Sequence, residues 1–200
     1  MEEVVQAQIE SDGLVGARGR FRLERPIETV EVPASVQSLL AARIDRLDEA
    51  SKRLLQTAAV IGDAVAETVL DKVLEQGVGL DRDTIRSGVR RLLQSEFLYE
   101  AALYPESEYA FKHPLTREVA YASLLRERRR ALHAAVATVL EALAGAAADQ
   151  RALLLAHHWE QAGRVLEAAR WQVRMAERLG ANAGEAVVHW QKVTELLAEE

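Results

Sequence analysis

The chain has 200 residues, 49% hydrophobic and 28% charged, with no cysteine and a formal net charge of −6. This length holds one large or two small domains with buried cores, and the balance is that of a globular protein. The missing thiols exclude disulfides, thiol catalysis and cysteine-based zinc sites and fit a cytoplasmic location. The acidic balance excludes a surface built globally for nucleic acid, and no run of about 18 apolar residues provides a membrane span.

Residues 1–12 read as a short amphipathic helix. They begin Met1-Glu2-Glu3-Val4-Val5, without the basic-then-apolar order of a secretory signal and without a cap, so the natural element is expected to start upstream. Glycines and alternating apolar residues over 13–32 predict a hairpin, with Leu14-Val15 facing Arg20-Phe21-Arg22-Leu23. Pro33-Ala34-Ser35 opens a helix whose apolar positions are Val36, Leu39, Leu40, Ile44 and Leu47.

Asp48 is placed to cap the next helix, with Leu54, Leu55, Ala58, Ala59 and Ile61 inward and Gly62 as its stop. A short helix is expected over about 65–75, broken by Gly77 and Gly79. A third follows from the Asp81 cap to about 95, with Ile85, Val89, Leu92 and Leu93 inward. Phe97-Leu98-Tyr99 and Tyr109-Ala110-Phe111 read as two strands joined by an acidic turn. Three helices and a two-stranded wing make the winged-helix order.

Residues 114–144 predict a long helical stretch with a break near Arg126, and Ala144–Ala148 reads as a junction. Helices are then expected over about 150–161, 164–179 and 183–198. Small residues at Ala156, Ala162, Ala168, Ala169 and Ala176 permit close approach, and Trp159, Trp171 and Trp190 read as packing anchors. This pattern suggests the start of a tetratricopeptide-like array. The expected organisation is a linker over 1–47, a winged-helix domain with a long following helix over 48–144, and repeat helices over 145–200.

His113 carries the most specific functional signal. A β-prone run enters it and Pro114, suited to a first helical turn, follows. The N–H groups and dipole of a helix start attract anions such as phosphate, and an imidazole there adds a switchable charge. Three other groups admit functional readings. Arg82, Arg86 and Arg90 align at helical spacing as a DNA recognition helix would, although Glu100, Glu106 and Glu108 on the wing oppose a DNA backbone. The run Arg126-Glu127-Arg128-Arg129-Arg130 reads as a solvated face. His157 and His158 point about 100° apart on a helix and lack His-Glu-x-x-His spacing, so no metal site is expected. No Gly-x-Ser-x-Gly elbow and no phosphate-binding Gly-Lys-Ser/Thr occur.

Three ordered blocks resemble a known family. They are Val32-Pro33-Ala34-Ser35-Val36-Gln37-Ser38-Leu39-Leu40-Ala41-Ala42-Arg43-Ile44-Asp45-Arg46-Leu47, then Phe111-Lys112-His113-Pro114-Leu115-Thr116-Arg117-Glu118-Val119-Ala120-Tyr121, then Leu155-Ala156-His157-His158-Trp159-Glu160-Gln161-Ala162-Gly163. The chain resembles the segment that follows the nucleotide-binding core in bacterial signal-transduction ATPases with numerous domains. Within that class it is most similar to proteins joining a class III adenylate/guanylate cyclase, an ATPase and tetratricopeptide repeats. The resemblance implies that His113, with Lys112 and Arg117 assisting, senses ADP or ATP held by an ATPase core absent from these residues. It further implies that the repeats bind a protein partner. Walker elements are absent, so ATPase and cyclase activities do not carry over. The expected function is regulatory and non-catalytic, without a cofactor, metal or membrane of its own. The alternatives are a DNA-binding winged-helix regulator using Arg82, Arg86 and Arg90, and a plain helical scaffold.

Overall fold

A computed structural model describes residues 14–17, 20–23, 34–104, 106–180 and 183–198. The chain divides into two compact units, 1–46 and 47–200.

In the first unit, β1 (Leu14–Ala17) and β2 (Arg20–Leu23) pair antiparallel, with Leu14 opposite Leu23 and Ala17 opposite Arg20. The helix expected over 1–12 lies outside the described residues. Helix α1 spans Ala34–Asp45. Ile44 is buried but Leu39, expected on the same face, is 62% exposed. The reason is angular: Leu39 stands about 100° from Leu40 and about 140° from Ile44 around the helix.

The second unit begins with α2 (Glu49–Ile61), whose first turn Asp48 caps by accepting from Ser51 N at 3.1 Å. Arg91 braces the same corner, with Nε 3.1 Å from Ser51 Oγ and 3.3 Å from Asp48 Oδ2. Asp48→Ala is expected to lower the urea unfolding free energy by about 1 kcal/mol, and Asp48→Asn to recover most of that, because Asn still caps. If Asn proves as damaging as Ala, the ion pair rather than the cap carries the effect.

After Gly62 the chain forms a strand that sequence periodicity does not reveal. This is β3 (Ala64–Ala66), and it pairs with β5 (Glu108–Phe111), which pairs in turn with β4 (Leu98–Ala102). The expected two-stranded wing is therefore a three-stranded antiparallel sheet, with Val65 opposite Tyr109 and Leu98 opposite Phe111. Phe97 is buried just outside β4. The helix expected from residue 65 is shortened to α3 (Glu67–Val73), because residues 64–66 are taken by the sheet. The loop between β4 and β5 caps it: Glu67 N donates to Ser107 O at 2.8 Å, and Glu106 accepts from Thr68 N at 3.2 Å and from the Thr68 hydroxyl.

A π-helical turn, Leu74–Val78, follows and ends at Gly79 in the left-handed region at φ 76°. Gly77 lets this turn approach its neighbour, since a Cβ there would lie 2.8 Å from Ala135 Cβ. Helix α4 (Arg82–Gln94) is capped by Asp81, which accepts from Thr84 N at 2.9 Å, and it buries Ile85, Val89 and Leu92.

The long helical stretch breaks at residues 123–125, giving α5 (Pro114–Ala122) and α6 (Arg126–Ala144). A 3-10 segment (Gly145–Arg151) leads to α7 (Ala152–Gln161), α8 (Val165–Leu179) and α9 (Ala183–Ala198). The fold is thus mainly α with small antiparallel β elements. One apolar cluster runs from Val60 and Val73 through Leu132, Val136 and Leu140 to Leu155, Trp171 and Leu196. Ala156, Ala168, Ala169 and Ala176 are buried, as close helix packing requires. Trp159 and Trp171 are buried anchors, but Trp190 is 45% exposed. Trp190 lies outside the buried α9 stripe of Ala186, Val193 and Leu196. Among the described residues no helix is long and apolar enough to cross a membrane.

Candidate functional site

Strand β5 ends at Phe111 and α5 starts at Pro114, so His113 occupies the residue position just before the first turn of α5. Its backbone is extended (φ −135°, ψ 129°), as the residue before proline must be, and its carbonyl accepts from Thr116 N at 2.9 Å. The imidazole is exposed and makes no capping hydrogen bond. Lys112 is also exposed, and its N–H donates to Phe97 O at 3.0 Å, which ties the hand-over point to the start of β4.

Arg117 sits one turn into the helix and points elsewhere. Its guanidinium lies 2.7 Å from Asp63 Oδ1 and donates from Nε to Ala59 O at 3.4 Å, bracing α5 against the end of α2. The pair is solvent-facing, Asp63 being 85% exposed, so it is weak and open to exchange with another anion. His113 and Lys112 therefore share one accessible helix start, whereas Arg117 serves a structural contact. A helix start of this kind can offer N–H groups and cationic side chains to an anion.

The arginines of α4 divide. Arg82 Nε donates to Glu75 Oε1 at 2.6 Å. Arg82 and Arg86 border a cleft of about 320 Å³ together with Glu67, Asp71 and Tyr109. Burial, then the neighbouring Glu67 and Glu75, holds the Asp71 carboxyl above the usual range against the pull of Arg82 and Arg86. Tyr109 donates its hydroxyl to Glu67 Oε1 at 2.9 Å, and burial with that bond pushes its phenol well above its ordinary value. Arg90 is exposed, and Arg91 is committed to Asp48 and Ser51. Two of the three arginines that the alternative DNA reading would use, Arg82 and Arg86, thus border a cleft with acidic residues of their own domain.

Of the basic run at the start of α6, Arg126, Arg128 and Arg130 are exposed as expected, but Arg129 is half-buried. Its guanidinium lies 4.4 Å from the Tyr121 ring centroid, and one NH2 group donates to Leu124 O at 3.2 Å. The helical angle separates the histidine doublet as anticipated, leaving His157 exposed and His158 buried. The partner of His158 was not anticipated: His133 of α6, its Nδ1 only 2.9 Å from His158 Nδ1. The setting of His133 in Ala131-Leu132-His133-Ala134-Ala135-Val136-Ala137 was the available sign of burial. Among the described residues no group of three or more His, Cys, Asp or Glu side chains could hold a metal ion.

No family model matches the chain, and no solved structure matches it. An uncharacterized protein of Rhizobium meliloti (strain 1021) is 29% identical over 135 residues, which are 68% of this chain and 13% of that protein's length. This chain is therefore similar to a small part of a much longer bacterial protein.

Proposed function

We propose that these residues form a non-catalytic regulatory segment of a larger nucleotide-binding signalling protein. Residues 48–144 act as a winged-helix module that reports whether a neighbouring ATPase core holds ADP or ATP. The trailing helices act as the start of a repeat array that binds a protein partner. The observation that carries this reading is the exposed His113 imidazole at the start of α5, not used for capping and beside exposed Lys112. It has the chemistry to meet a terminal phosphate presented by another domain. It cannot cradle a nucleotide alone, so the core must bring the phosphate.

The partner surface in this reading is the groove of about 650 Å³ along α7 and α8, bordered by Leu153, Leu154, Arg151, His157 and Gln172. Leu153 and Leu154 are exposed there, as an apolar docking strip needs. Partner binding on α7 and phosphate contact at α5 would couple by favouring one of two arrangements. A DNA-binding role draws less support, because Arg82 and Arg86 border a cleft with Glu67 and Asp71.

The test is nucleotide release from the full natural polypeptide that contains these residues. His113→Ala is expected to speed ADP dissociation about tenfold or more, the loss of one charge-assisted phosphate contact. An unchanged release rate, or an open reading frame without an in-frame Gly-x-x-x-x-Gly-Lys-Ser/Thr, would leave the scaffold reading in its place.

A further inference from the structure

Three helices of this unit are joined by one hydrogen-bonded chain that is buried at its two histidines and half-buried at its tyrosine. The Tyr121 hydroxyl of α5 is 3.0 Å from His133 Nε2 of α6, and His133 Nδ1 is 2.9 Å from His158 Nδ1 of α7. His133 and His158 are 2% and 1% exposed, and His158 Nε2 is buried without a partner.

Only one hydrogen fits between two ring nitrogens at this distance. With both rings neutral, the chain can run in either direction. If Tyr121 donates to His133 and His133 to His158, then His158 Nε2 carries an unanswered N–H. If the direction reverses, His158 donates from Nδ1, His133 donates from Nε2 to the Tyr121 oxygen, and His158 Nε2 is an unanswered acceptor. In either direction His158 Nε2 is left without a partner. One extra proton preserves the N–H···N bond but places a charge in the core. Two extra protons set N–H against N–H, and the chain must break.

The surroundings oppose any proton. From α5 the pair meets Tyr121, and from α6 Arg129, whose guanidinium covers the Tyr121 ring and whose Nε is itself buried without a partner. From α7 it meets His157, whose ring centroid is 6.0 Å from that of His133 and 5.5 Å from that of His158. On the α8 and α9 side, Gln172 Oε1 accepts from His189 Nδ1 at 2.7 Å. The charged neighbours acting on the pair, Arg129 and His157, are cationic when charged.

We propose that the Tyr121–His133–His158 chain is a proton-operated latch: neutral imidazoles hold α5, α6 and α7 together, and proton uptake by the opened rings releases the junction. Helix α5 carries His113 at one end and the latch at the other, so acidification loosens the support of that exposed histidine. The inference does not depend on the nucleotide reading. Burial, then the cationic neighbours and the paired rings, holds His133 at about 4 and His158 at about 3 in the closed form. An opened, hydrated imidazole returns to about 6.5. Each ring therefore multiplies the opening constant about tenfold between pH 7.5 and 5.5, and the two together about 100-fold.

Hydrogen exchange of the whole chain at pH 7.5 and 5.5, corrected for intrinsic rates, tests this. Amides over 119–133 and 155–160 are expected to open about 100-fold more often at pH 5.5 while staying less protected than those of α2 at both pH values. Unchanged opening overturns the latch, and so does protection equal to that of α2 at both pH values, which would mean that the junction opens only with the whole domain. The double variant His133→Leu/His158→Leu should abolish the rise, and a rise that persists there also overturns the latch. Should that variant fail to fold, the imidazole resonances of the unsubstituted protein decide. Midpoints well below pH 6 support the latch, and midpoints near 6.5 in the closed form refute it.

Discussion

Trp171→Ala is expected to destabilise the 47–200 unit by about 4 kcal/mol, through lost burial and the cavity left behind. Trp171 is 2% exposed, within the apolar cluster that joins α6 to α7, α8 and α9. The polar edge of its ring is equally committed. Trp171 Nε1 donates to Glu141 Oε1 at 2.6 Å, and that oxygen also accepts from Trp159 Nε1 at 2.8 Å and from Arg170 at 3.0 Å. The ring face carries the guanidinium of Arg174 at 4.6 Å. One carboxylate oxygen on α6 therefore orients an indole from α7 and another from α8. Glu141→Gln keeps an oxygen acceptor and removes the charge, so its expected loss is about 1 kcal/mol. Urea midpoints of the two variants check both figures. A Trp171→Ala loss below about 1 kcal/mol would mean that the trailing helices fold outside the cooperative unit.

The second large effect is on acid stability. The folded pKa values of His133 and His158, about 4 and about 3, lie below the ordinary imidazole value. Between about pH 6.5 and 4 the unfolded chain therefore binds protons that the folded chain refuses, and stability falls as pH falls. The contribution is complete above about pH 6.5 and diminishes below it. Each ring adds a slope approaching about 1.4 kcal/mol per pH unit, so the pair should remove about 2.5 kcal/mol between pH 7 and 5.5. Urea unfolding at both pH values measures the loss, and the His133→Leu/His158→Leu variant isolates it. A loss of equal size in that variant would assign the acid sensitivity to other groups.

The same residues separate what was legible from what was not. Asp48 and Asp81 announce helix starts because a cap is satisfied by a backbone N–H three residues on, at 3.1 Å and 2.9 Å here. Pro114 after a β-prone run places His113 at a strand-to-helix hand-over for the same local reason. The inward faces of α2 and α4 follow from helical period alone, and Leu54, Leu55, Ile85, Val89 and Leu92 are buried as that period requires.

Local rules fail where the partner is distant in sequence. Ala64-Val65-Ala66 fits a helical reading, and becomes a strand because β5, more than 40 residues later, supplies its hydrogen bonds. Glu106 reads as wing-tip charge until the fold brings it to Thr68 at the start of α3. Arg117 reads as an assistant to His113 one turn away, and only the fold shows that Asp63, 54 residues earlier in the chain, lies 2.7 Å from its guanidinium.

The sequence by itself determined the helical class, the Asp48 and Asp81 caps, the main breaks, the inward faces of α2 and α4 and the place of His113 on the chain. Each depends on residues within a turn or two of one another. Only the tertiary structure decided that His133 meets His158 across 25 residues, that Glu141 gathers two tryptophans, and that Arg82 and Arg86 border a cleft with acids of their own domain. These pairings follow from how helices stack. Stacking is set by the sum of many weak apolar contacts, which leave no mark on the spacing of any one polar residue.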